Sequence, residues 1–124
     1  MAFMFVALFT YAQPINLIGQ WKLSSVKNLT NNTIDSTFQN TGNLSIMFNG
    51  NNTYKCFLSV NTVMGSYITK GGFLIKRGAT TKICCDDDKS MKFYNLLLDA
   101  YGYIFKESDL YIYSNNCELI FKSL

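Results

Sequence analysis

The chain contains no histidine. That absence removes Ser-His and Cys-His nucleophilic arrangements and every His-ligated metal centre. Charge is also scarce: Asp, Glu, Lys and Arg make up 15% of residues, against about 25% in an average soluble protein. Asn, Ser and Thr stand in for them, most densely over residues 28–33 and 49–53. Basic residues are scattered, and the longest basic cluster is Lys76-Arg77, followed by Gly78. A nucleic-acid binder gathers Lys and Arg on one stripe beside stacking aromatics. Nucleic acid is therefore not an expected partner, despite a net charge of +3. No C-x-x-C spacing exists for a four-cysteine zinc site. The run Asp86-Asp87-Asp88 lacks the alternating ligands, central Gly and distal Glu of an EF-hand loop, so it reads as a solvated helix cap. Asp35, Asp99, Glu107, Asp109 and Glu118 all fall in polar or strand-edge contexts. No catalytic residue, metal or cofactor is expected.

What is present is enough apolar material for one packed domain. Of the 124 residues, 48% are hydrophobic and 15% aromatic. Residues 1–12, MAFMFVALFTYA, read as the end of a secretory signal: an apolar run closing on Thr10-Tyr11-Ala12, with small residues at positions −3 and −1. The run is shorter than the roughly 20 apolar residues of a membrane span. A signal over 1–12 and a single domain over 13–124 are expected, with Gln13 as the mature N-terminus and a periplasmic or secreted location. A buried first strand or helix is the structural alternative for 1–12.

Four cysteines follow: Cys56, Cys84, Cys85 and Cys117. An even number in an exported chain suggests disulfides. Four cysteines allow three connectivities, one of which requires the strained neighbouring pair Cys84–Cys85; the favoured bridges, from Cys84 or Cys85 to Cys56 or Cys117, would close loops of about 30 residues. Buried free thiols stay equally open, since Cys is among the most buried residue types and Cys56 and Cys117 sit in strand-like runs.

Patterning predicts strands and one helix. Trp21 and Leu23 alternate with Gln20 and Lys22 within residues 17–26, a half-buried strand. A short strand is expected over 33–38. Leu44, Ile46 and Phe48 share a face before the Asn49-Gly50 turn; Tyr54, Cys56, Leu58 and Val60 share the next. Lys70-Gly71-Gly72 joins strands at 66–69 and 73–76, and residues 80–84 form another. Asp86–Asp88 and Ser90 offer helix caps. Met91, Tyr94, Leu97, Leu98 and Tyr101 then make one apolar stripe, widened by Phe93 and Leu96, with Gly102 as the expected stop. Leu110 and Ile112 alternate with Tyr111 and Tyr113, Asn115-Asn116 turns the chain, and Leu119 and Phe121 alternate back. The expected fold is α+β: a mostly antiparallel curved sheet or partial β-barrel, one helix packed against it, and a C-terminal β-hairpin.

Four segments in order, residues 19–23 with Trp21, residues 59–67 with Asn61, Gly65 and Tyr67, Thr81 to Cys85, and Leu97 with Tyr103 and Leu110, together resemble the META domain (HslJ-like) family. Gly19-Gln20-Trp21-Lys22-Leu23 is similar to its G-x-W-x-L opening. Residues 59–67, with Asn61, Gly65 and Tyr67, are similar to its G-C-N-x-x-x-G-x-Y stretch. Thr81 to Cys85 resembles its T-x-x-x-C segment, and Leu97, Tyr103 and Leu110 have the spacing of its tail. Val60 stands where the family has its first Cys, so a bridge between the two family cysteines cannot form, and Cys56 is the nearest local substitute. The resemblance implies a non-enzymatic envelope or secreted protein, linked in some members to heat shock or drug tolerance. Trp21, Asn61, Gly65, Tyr67, Thr81 and Cys85 are its motif residues, and the turn-and-packing reading of Asn61, Gly65 and Tyr67 is structural.

Three functions follow as expectations. The first is a non-enzymatic exported domain acting through an unknown protein or envelope component. The second is a lipocalin-like carrier of a small apolar ligand, suggested by Gly19-x-Trp21 and the hairpin at 44–54. The third is an inhibitor or adhesion-type binding module using exposed tyrosines such as Tyr111 and Tyr113.

Overall fold

The structure is a computed structural model that describes residues 16–81 and 85–124. The expected signal at 1–12 and Cys84 lie outside the described residues. The described strands are β1 (Gly19–Asn28), β2 (Thr33–Ile34), β3 (Ser45–Phe48), β4 (Thr53–Phe57), β5 (Thr62–Ile68), β6 (Leu74–Ile75) and β7 (Ala79–Thr80). Helix α1 (Asp88–Leu98) separates them from β8 (Gly102–Lys106), β9 (Asp109–Ser114) and β10 (Cys117–Ser123).

Every pairing between these strands is antiparallel, in the order β6-β5-β4-β3-β1-β10-β9-β8, with β2 added to β1 and β7 to β5. The first and last strands are therefore neighbours, Trp21 opposite Ser123 and Asn28 opposite Cys117. This gives the α+β fold expected from the alternation, as a nearly closed barrel. Its two end strands, β6 and β8, approach without a ladder between them. Phe73, just before β6, meets Tyr103 of β8 edge-on at a centroid distance of 4.9 Å, a favoured aromatic geometry. Helix α1 touches β6 and β9.

The interior is filled. Leu23, Ile46, Phe48, Phe93, Leu97, Leu110, Ile112, Leu119 and Phe121 are all buried, and Phe93 packs against Phe121 at 6.1 Å. Trp21 and Leu23 point inward as the alternation predicts. A bulge between Leu23 and Ser25 then shifts the phase, so that Val26 rather than Ser25 is buried.

Several expectations need correction. The strand at 33–38 is only β2, because Asp35 turns the chain: its side chain accepts from Thr37 N–H at 2.9 Å and opens a 3₁₀ turn over Ser36–Phe38. Val60 is exposed beyond the end of β4 rather than sharing its inward face. The buried face of α1 is Ser90, Phe93, Tyr94 and Leu97, while Met91 and Tyr101 are exposed and Leu98 is half-buried. Helix α1 stops at Leu98 with Asp99 as its C-cap, and Gly102 begins a strand instead of ending the helix. Tyr111 and Tyr113 are half-buried on β9, not freely exposed.

Candidate functional site

Where β4 leaves the barrel and the chain re-enters as α1, a set of polar side chains converges. Asp87 is the helix N-cap, accepting from Ser90 N–H at 2.8 Å. An N-cap needs one carboxylate, so Asp86 is left for another task. Its Oδ1 accepts from the backbone N–H of Val60 (2.7 Å) and Asn61 (3.0 Å) and from Ser59 Oγ (3.2 Å). Its Oδ2 accepts from Asn61 Nδ2 at 2.8 Å. Partial burial pushes the Asp86 carboxyl up, but the hydrogen bonds from Asn61, Val60 and Ser59 outweigh it and hold the group below the ordinary carboxylate range. Asp86 is thus a structural clamp and not the solvated cap that the acidic run suggests.

The family-motif residues extend the clamp. Asn61, buried, accepts from Thr81 Oγ1 at 2.9 Å, and that hydroxyl accepts from Thr62 N–H at 3.1 Å. Thr81 thereby ties the segment after β7 to the start of β5. Ser90 Oγ accepts from Ser59 N–H at 3.0 Å, joining the helix to the same turn. Gly65 lies inside β5 rather than in a turn. A Cβ there would sit 2.8 Å from the Tyr54 ring, so only glycine admits that aromatic. Tyr67 packs edge-on to Phe48 at 4.8 Å and donates to Asn49 C=O at 2.9 Å. Trp21 is far from this cluster in role: its Nε1 donates to Leu17 C=O at 2.8 Å within the core.

A second hydrogen-bonded row runs beneath the clamp. Tyr54 Oη donates to Lys76 C=O at 2.5 Å, Tyr54 and Tyr94 hydroxyls lie 2.9 Å apart, and Gly78 N–H donates to Tyr94 Oη at 2.9 Å. Since the Tyr54 proton is used on Lys76, Tyr94 is the donor between the two rings. The row runs in one direction from Gly78 to Lys76, with both hydroxyls satisfied.

Between clamp and row lies a cavity of about 370 Å³, within the range of small-ligand sites. Leu58, Val63, Met91 and Tyr94 give it apolar walls. Arg77 and Asp86 bring opposite charges to it, and the Arg77 guanidinium carbon stands 5.9 Å from the Tyr94 ring centroid. Cys85 also lines it, with backbone in the left-handed region at φ 56.

The cysteines correct one expectation. Cys56 and Cys117 are buried free thiols, so neither takes part in the expected bridges to Cys84 or Cys85. Cys85 is disulfide-bonded. Burial, with the nearby Asp86 charge, pushes the Cys56 thiol far up, so it stays protonated and inert. Strand position decides this: Cys56 is buried on β4, paired in register with Ile46 and Val63. Sequence reasoning found Asn61, Thr81 and Cys85 through motif spacing. It missed Asp86 as a clamp, and Arg77, Met91 and Tyr94 as one wall, because these come together only through the fold.

No protein-family model matches the sequence, and neither does any curated protein. Among solved structures, the fold is similar to the crystal structure of a DUF4847 family protein from Bacteroides vulgatus ATCC 8482. The TM-score is 0.67 at 15% identity, over 87% of this chain and 94% of that one. It is also similar to the NMR structure of a protein from Burkholderia xenovorans, with a TM-score of 0.62 at 18% identity over 91% of each chain. At these identities the likeness establishes a shared barrel-like fold.

Proposed function

We propose that this chain is a non-enzymatic exported domain of the META/HslJ kind, with an interaction or envelope-stress role. Its binding surface is the cavity between β5, β7 and the start of α1. The observation that supports this is how the reactive groups around the cavity are used. Asp86 answers four donors and stays ionised below the ordinary range, which makes it a poor general base. Cys85 is held in a disulfide, and Cys56 is a protonated core thiol. What the described lining residues offer a visitor is apolar wall and one cation, the means of binding without the means of turnover.

A carrier holding its ligand inside the barrel, the lipocalin-like alternative, has less support. Phe93, Leu97, Leu110 and Phe121 occupy that space. The test is native mass spectrometry on the chain recovered from the medium or periplasm. The expected species starts at Gln13 and carries a small ligand or envelope component, which is lost in Met91→Arg. Met91 is exposed at the cavity rim, so that substitution blocks the cavity without touching the core. Equal retention by Met91→Arg, or recovery only of the uncut chain from the cytosol, would overturn the reading.

A further inference from the structure

The two charges at the cavity are not equally engaged. Asp86 accepts four hydrogen bonds, three at Oδ1 and one at Oδ2, which engages both oxygens of the carboxylate. Arg77 is the one cation among the described lining residues, and the described residues show no ion pair to it. Its guanidinium carries five N–H donors in a fork suited to a carboxylate, and its only described contact of this kind is with the face of Tyr94. Arg77 and Asp86 line one cavity without pairing, since one stands after β6 and the other is drawn into the 59–61 turn. Around the unengaged cation stand Leu58, Val63 and Met91, with the Tyr94 ring.

We propose that this cavity binds a small monoanion with an apolar body, an aliphatic or aromatic carboxylate. Its head pairs with Arg77, and its body lies against Leu58, Val63, Met91 and Tyr94. An ammonium head would have to compete with Asn61, Val60 and Ser59 for Asp86. A carboxylate head displaces only water from Arg77. A second negative charge on the ligand is disfavoured by the Asp86 carboxylate across the same cavity. The proposal deepens the reading of the cavity as the binding surface and rests on it.

The experiment titrates the full ¹⁵N-labelled chain with octanoate, octanol and octylamine at matched ionic strength, following backbone amides. Octanoate is expected to move Gly78, Thr80 and Met91, and to bind roughly tenfold tighter than octylamine, the value of one charge-assisted pair. Arg77→Gln should remove that preference and leave octanol binding as it was. Arg77 is exposed, so the amide spectrum of the variant should otherwise match the parent. If octylamine binds as well as octanoate, or Arg77→Gln leaves octanoate unchanged, the anion assignment fails. In that case octanol shifts confined to cavity amides would leave the cavity reading standing. If no probe moves these amides, both fail.

Discussion

Asn61 donates to Asp86 twice, from its backbone N–H to Oδ1 at 3.0 Å and from its side-chain amide to Oδ2 at 2.8 Å. The pair is 25 residues apart in sequence. It fixes the turn after β4 to the segment entering α1, so the geometry of the cavity depends on two residues that are distant in sequence and bonded only through the fold.

Asp86→Ala and Asn61→Ala should each destabilise the chain by about 1–3 kcal/mol, through N–H groups left unpaired. Partial exposure of Asp86 lets water recover some of that, which places its cost in the lower half of the range. Because the residues share hydrogen bonds, the double variant should lose less than the sum by at least about 0.5 kcal/mol. Urea midpoints at constant slope measure this, and strict additivity would dissolve the clamp.

Acid should weaken the fold along a defined limb. Hydrogen bonds hold Asp86 and Asp87 below the ordinary carboxylate range, and the Lys92 hydrogen bond does the same for Asp35. In each case the folded pKa lies below the unfolded one. The unfolded chain therefore takes up protons first as pH falls. The stabilisation is complete above the unfolded value of about 3.9 and is lost as pH drops through the lower folded values. Thermal midpoints should fall below about pH 5, with a shallower slope in Asp86→Asn and Asp87→Asn. Unchanged slopes in both would refute the assignment.

Two glycines should respond in opposite ways. A Cβ on Gly78 would lie 2.2 Å from Met64 C=O oxygen, a backbone atom that cannot swing aside, and Gly78 N–H also holds the Tyr94 hydroxyl. Gly78→Ala should cost about 2–3 kcal/mol or more. A Cβ on Gly102 meets nothing within 4 Å, so Gly102→Ala should stay within about 0.5 kcal/mol of the parent. Denaturant melts of the two variants decide it; similar costs would mean that close approach at Gly78 is not what excludes a side chain.

Much of the fold is legible because alternation needs only one buried face. Ile46 and Phe48 on β3 with Leu44 just before it, Tyr54 and Cys56 on β4, and Leu110 and Ile112 on β9 carry that alternation in their hydropathy alone. Strand β8 does not. Residues 102–106 lie at the end of the sheet order, half-buried or exposed, and Gly102 at their head imitates a helix stop. The face of α1 misleads for a related reason. Its buried positions include Ser90, which is polar yet fully enclosed because its hydroxyl serves Ser59 N–H, while apolar Met91 is left at the cavity rim.

Composition and periodicity by themselves determined an antiparallel, helix-bearing fold without histidine chemistry, since both are properties of neighbouring residues along the chain. Tertiary structure decided which strands close the barrel, that Cys56 and Cys117 stay free, and that Asp86 is bound while Arg77 is open. Those outcomes depend on which distant groups satisfy one another's hydrogen bonds and charge, and no local pattern encodes that matching.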